Sequence, residues 1–118
     1  MRYFLALALA LAGCDSTPTL IVGSKNFSEN VFLAELVAQH VESRTGVRVE
    51  RRLNLGGTFI CHQALVSGQI DLYPEYTGTA LTAVLEAEPV DDPAQALQQV
   101  REAYREQFDV DWAPPFGL

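Results

Sequence analysis

The 118-residue sequence predicts an α/β fold with a largely parallel sheet. Three observations carry that expectation. Short β-rich runs alternate with longer stretches whose apolar residues recur at helical spacing. Glycine or proline closes most of these runs. Apolar residues make up 48% of the chain and charged residues 19%, which gives one domain enough core to fold.

Each element follows from its residues. "TLIVG", Thr19 to Gly23, is a buried strand ended by glycine. "SKNFSEN" follows as a loop, in which Asn26 or Ser28 can cap a helix and Asn26 with Glu29 has capping-box spacing. The helix runs from about Ser28 to Arg44, with Leu33, Leu36, Val37 and Val41 on one stripe and Gly46 as its stop. "VRVERRL", Val47 to Leu53, alternates and reads as a second strand, and "NLGG" reads as a turn. A short helix from Thr58 to Ser67 puts Cys61, Ala64 and Leu65 on one face, and Gly68 stops it. Gln69 to Tyr73 is a third strand, broken by Pro74, whose nitrogen cannot donate to a ladder. Thr77 to about Leu85 forms a helix. Asp92 then caps another with Pro93 at its first position, and Leu97, Val100, Tyr104 and Phe108 form its core stripe. Val110 to Trp112 is a candidate fourth strand.

The first residues stand outside the fold. "MRYFLALALALAGC" has one basic residue, Arg2, then an apolar run from Tyr3 to Ala12 that is too short to span a bilayer. Its end resembles a bacterial lipobox. The division expected is a lipoprotein signal over 1–13, a lipidated Cys14 with a polar tether over 14–18, and the folded part over 19–118. Loss of Arg2 leaves 7 basic residues (8 less 1) against 15 acidic ones, a net charge of −8. An acidic chain repels nucleic acid, so no nucleic-acid partner is expected. With Cys14 acylated, Cys61 is left alone, and no intrachain disulfide is available.

In a parallel sheet, ligands bind beyond the carboxyl ends of the strands. Three segments fall there: "SKNFSEN", "NLGGT" and "YPEYTGT". The glycine pair opens a helix start to an anion, a weak signal that also fits an ordinary turn. "YPEYTGT" brackets a carboxylate with two phenols. Tyrosine faces attract cations at roughly 0.5–2 kcal/mol per ring, and a quaternary ammonium offers no N–H to bond in any other way. Asp71 and Glu75 can add field, and Asp71 and Tyr73 share one side of the third strand. Spacing alone fits two half-buried packing tyrosines better.

"VGSKNFSEN", "LGGT", "ALVSGQIDLYPEYTGTAL" and the terminal "WAPPFGL", in order from about Leu20 to Leu118, resemble the substrate-binding proteins of osmoprotectant ABC importers. Those proteins bind glycine betaine, choline, carnitine and related compounds. The resemblance implies a type II periplasmic-binding-protein fold, two α/β lobes around a cleft, of which this chain supplies the first part and lacks the second lobe. It implies a cage tyrosine at Tyr76 and a cleft residue at Thr79 near the polar end of the ligand. It places Asn26 and Phe27 on the cleft border, and Gly57 and Thr58 at the start of a cleft-facing helix. The neutral hydroxyl of Thr79 suits zwitterions such as betaine. Asn30 stands where relatives often carry glutamine. The implied partners are a quaternary-ammonium solute, an ABC permease and ATPase, and a lipid bilayer through acylated Cys14, with no cofactor or metal. The protein is expected to be exported and membrane-anchored. Relatives continue beyond a stretch like "PPFGL", so the chain reads as a fragment, and the isolated 118 residues are expected to bind betaine too weakly to measure.

Enzyme readings are weaker. Cys61 and His62 are helix neighbours about 100° apart, so His62 is badly placed to activate Cys61. Cys61 reads as core, His62 as surface or rim, and His40 as structural. Asp71 with Glu75 is a poor hydrolytic pair. Another small cation or amino acid in the same fold, a lipoprotein with no small-molecule role, and a non-functional truncated remnant stand as alternatives. Arg48, Arg51 and Arg52 read as a solvated face.

Overall fold

The computed structural model describes residues 17–117. The expected signal segment and Cys14 lie outside the described residues, as does Leu118. The α/β class is borne out. Strands β1 (Thr19–Lys25) and β2 (Arg48–Gly56) form a parallel pair, linked by helix α1 (Ser28–Arg44). Helix α2 (Thr58–Val66) follows, then a short helix α3 (Thr77–Thr79) that widens into a π-helical turn over Ala80–Val84. Helix α4 (Pro93–Phe108) completes the order.

The sheet is smaller than expected. It has two strands among the described residues. The predicted third strand is reduced to one parallel bridge, Val22 with Leu72, on the side of β1 away from β2. The cause is local. The N–H groups of Gln69 and Ile70 turn back to the Ala64 carbonyl at the end of α2, at 2.8 and 3.2 Å. Only Asp71 and Leu72 are left to donate to Ile21, and Pro74 closes the run. The predicted fourth strand, Val110 to Trp112, is irregular. Trp112 instead packs its ring edge-on against Tyr104 at 5.3 Å.

α1 matches its expected span but not its expected cap or stripe. Phe27 holds the N-cap position, and no side chain bonds the open N–H groups there. Asn30, Leu33, Ala34 and Ala38 form its buried line, while Leu36 is 49% exposed. The two alanines let α1 lie close to Val22 and Val49, and together these four residues form the first core. A second core joins Ala80 and Leu81 to Ala96, Val100 and Tyr104 of α4. Asp92 caps α4 as expected, accepting from the Gln95 N–H at 3.3 Å.

The "NLGG" turn is partly strand. β2 continues to Gly56 through an irregularity opposite Gly23–Lys25. Asn54 sits there with φ 57°, and its N–H bonds the Ser24 hydroxyl at 2.9 Å. Gly56 has φ 150°, and a Cβ there would meet the Ile60 side chain at 3.0 Å, so the position needs glycine. The irregularity lets the chain turn into α2 beside the end of β1.

Candidate functional site

The site is built where β1 ends. Lys25 is its last residue and is only 4% exposed. The ammonium meets the Glu75 carboxylate at 2.5 Å and the Thr58 hydroxyl at 3.1 Å. Glu75 also accepts from the Tyr76 N–H at 2.8 Å and from the Tyr73 hydroxyl at 2.9 Å. One carboxylate thus fixes a lysine, a phenol and a main-chain donor. Burial, with the Glu75 charge beside it, pushes the Tyr73 phenol far above its ordinary range, so Tyr73 stays a neutral donor.

Asn30 ties this knot to the sheet. Its Oδ1 accepts from the Lys25 N–H at 2.7 Å, and its Nδ2 donates to the Pro74 carbonyl at 2.8 Å. The side chain is fully buried. At this position the asparagine amide acts as a structural strut between β1, α1 and the "YPEYTGT" segment.

Two aromatic rings close the site toward solvent. The Phe27 and Tyr76 centroids lie 6.3 Å apart with planes 26° from parallel. Phe27 is 43% exposed and Tyr76 is half-buried. The Lys25 ammonium lies 5.3 Å from the Tyr76 centroid and 5.8 Å from that of Phe27. These three distances describe a nearly equilateral triangle, with the ammonium within cation–π range of both rings. A spacing of 6.3 Å is too close for a trimethylammonium group between the rings, so an external cation would meet their open flanks. The Tyr76 hydroxyl donates a short hydrogen bond to Glu29. Burial first, then this hydrogen bond, raises the Tyr76 phenol to about 12.

The expected site residues divide. Phe27, Thr58, Tyr73, Glu75 and Tyr76 gather around Lys25. Gly57 caps α2 beside them with an ordinary φ of −80°, so no special conformation demands glycine there. Thr79 is half-buried, three residues beyond Tyr76 at the end of α3. Asn26 is exposed and uses its N–H on the Gly56 carbonyl at 3.0 Å. It lines a hollow of about 500 Å³ with Phe27, Phe32 and Asn54, and Tyr76 is not in that lining. Asp71 stands apart, accepting from the Ile21 N–H at 2.7 Å. Lys25, Glu29 and Asn30 were not foreseen as site residues. The signal that pointed to them was the segment "SKNFSEN" itself.

The residues considered for catalysis sit elsewhere. Cys61 is fully buried, and burial pushes its thiol up, away from the reactive thiolate. His62 is not a rim residue. Its ring packs edge-on against Phe108 at 4.5 Å and Tyr104 at 5.5 Å, and burial lowers its basicity. His40 is exposed rather than buried in a structural role. Arg51 is not simply solvated: it bridges Glu35 and Glu42 of α1 at 2.8 and 2.6 Å. No cluster of metal-ligating side chains occurs among the described residues, and no helix there is long and apolar enough to cross a membrane.

Known proteins share this arrangement of sequence and fold. The chain is 33% identical over 107 residues to the carnitine transport binding protein OpuCC of Listeria monocytogenes, covering 90% of this chain and 35% of that one. It is 31% identical over 120 residues to the ergothioneine transport permease/ergothioneine binding protein EgtU of Helicobacter pylori, covering 98% of this chain and 21% of that one. The solved structure of apo YehZ from Escherichia coli superposes with a TM-score of 0.73 at 30% identity, covering 85% of this chain and 36% of that one. The chain therefore spans about a third of the length of the first of these relatives. The family model described as the substrate-binding domain of ABC-type glycine betaine transport systems matches residues 18–118, and the chain belongs to that family of binding proteins.

Proposed function

We propose that the chain is part of the extracytoplasmic solute-binding component of an ABC importer for quaternary-ammonium osmoprotectants such as glycine betaine, choline or carnitine. The observation that carries this reading is the partly open Phe27–Tyr76 ring pair, with the Lys25 ammonium beneath it and the Glu29 carboxylate on its rim. Rings suit a methylated ammonium, which cannot donate an N–H. Lys25 has three N–H donors, and Glu75 and Thr58 each accept one. The third donor is buried beneath the rings with the rest of the ammonium, and the neutral Thr79 hydroxyl is the group suited to the carboxylate of a zwitterion. An acid at position 79 would repel that carboxylate. Asp71, exposed and bonded to β1, has no role in this reading.

The test uses the full-length gene product in calorimetry with glycine betaine, carnitine, choline and ergothioneine. Tyr76→Ala is expected to weaken quaternary-ammonium binding by about tenfold or more. Thr79→Asp is expected to weaken betaine while sparing choline. Wild-type protein that bound none of these solutes would refute the reading, as would a Tyr76→Ala variant of unchanged affinity. Ergothioneine in that panel answers a second reading, favoured by the identity to EgtU, in which the solute is a different small zwitterion.

Tethering to a membrane through acylated Cys14, and docking to a permease and ATPase, complete the proposal. The lipobox-like "LAGC" supports the tether. Incorporation of labelled palmitate that Cys14→Ser abolishes would establish it. Equal incorporation by both forms would exclude it.

A further inference from the structure

Glu29 is the second residue of α1, where the helix N-terminus favours an anion. Its carboxylate accepts the hydrogen bond of the Tyr76 hydroxyl, across 47 residues of sequence. Among the described residues it makes no ion pair. Lys25 and Glu75 neutralise one another at 2.5 Å, so Glu29 leaves the ring site with a net negative charge. The Tyr76 ring is held twice, through its hydroxyl by an anion and at its face by the Lys25 ammonium. A phenol that donates to a carboxylate also gains electron density in its ring, which strengthens its pull on a cation.

We propose that Glu29 is a specificity-determining positioning residue of the ring site. It fixes the Tyr76 ring beside Phe27 and supplies the charge that favours a methylated ammonium over a neutral group of the same shape. The role rests on the quaternary-ammonium reading above.

The experiment compares two ligands of one shape on the full-length gene product. Glycine betaine carries a trimethylammonium head, and 3,3-dimethylbutanoate carries a neutral tert-butyl head on the same carboxylate. Glu29→Gln keeps an acceptor for Tyr76 and removes the charge. It should lower betaine affinity by roughly threefold to tenfold without lowering that of dimethylbutanoate, an anion that loses a like charge, so the betaine preference falls. Glu29→Ala should weaken betaine at least as much. Its effect should be less than additive with Tyr76→Phe, since part of it acts through the hydroxyl.

A readout without ligand accompanies these. The Tyr76 phenol, raised to about 12 by burial and then by Glu29, should titrate at lower pH in Glu29→Ala. The ¹³Cζ resonance missing from Tyr76→Phe identifies it. An unchanged preference for betaine over dimethylbutanoate in both variants, or an unmoved Tyr76 titration, overturns the proposal. Wild-type protein that binds no quaternary ammonium refutes the function and this role together. Wild-type binding with unchanged selectivity in the variants refutes the role of Glu29 alone.

Discussion

Lys25 carries its charge into a place where water scarcely reaches, and one carboxylate answers it at 2.5 Å. Removing either partner strands the other. Lys25→Met should therefore cost about 3–5 kcal/mol, and Glu75→Gln a comparable amount. The double variant Lys25→Met/Glu75→Leu should lose much less than the sum of the two, because neither charge is left buried alone. Urea unfolding measures all three, and a Lys25→Met protein of wild-type stability would contradict the account. Sequence legibility was uneven at this scale. Tyr76 and Glu75 stood out because "YPEYTGT" concentrates unusual residues. Lys25 did not, since a lysine between an apolar strand and a polar loop reads as solvated. Its partner lies 50 residues away, a distance that no local pattern reports. Asn30 was noticed only through the resemblance, as the place where relatives often carry glutamine, and its structural role was not legible because its two bonds go to Lys25 and to Pro74.

The elements were legible where their signals are local. α4 is the clearest, with an acidic cap, a proline at its first position and an apolar stripe. Asp92→Ala should cost about 1 kcal/mol through loss of the bond to the Gln95 N–H. At the other end Asp109 ends the helix with φ 56°, a conformation that glycine adopts without strain. Asp109→Gly should raise stability by about 0.5 kcal/mol, because relief of the left-handed backbone exceeds the extra freedom that glycine gives the denatured chain. A shift of the thermal midpoint downward for the first variant and upward for the second checks both. The strands were harder. The end of β2 passes through a positive φ at Asn54 that the letters "NLGG" suggest only as a turn. The shortened third strand follows from a competition between the β1 ladder and the Ala64 carbonyl for the same N–H groups, which only the folded chain decides. The π-helical turn after Thr79 has no sequence signature of its own.

At the scale of the whole molecule, the described residues hold two modest cores. One joins α1 to the sheet and the other joins α4 to the π-helical turn, with residues 73–77 running between them. The class of the fold was readable because hydrophobic periodicity is a property of each segment. How the segments meet was not, because the contacts that join them are pairs of residues distant in sequence. Arg51 is such a contact, and it gives the molecule a predictable response to acid. Its guanidinium holds Glu35 and Glu42, two turns apart on α1, against β2. The Arg51 hydrogen bond, then that of Gln39, lowers the Glu35 carboxyl from 4.5 to about 2, and Arg51 lowers Glu42 in the same direction. A carboxylate depressed in the folded state stabilises above its unfolded value, and that stability is lost as pH falls through the folded one. The contribution is thus complete above about pH 4.5 and gone near pH 2. Both carboxylates face solvent, so salt should shrink the effect. Melting followed from pH 6 to pH 2 at low ionic strength should show the midpoint falling through that window. Arg51→Met should flatten this part of the curve while lowering its plateau near neutrality. An acid limb of equal slope in both proteins would mean that the two carboxylates are not held by Arg51 in solution.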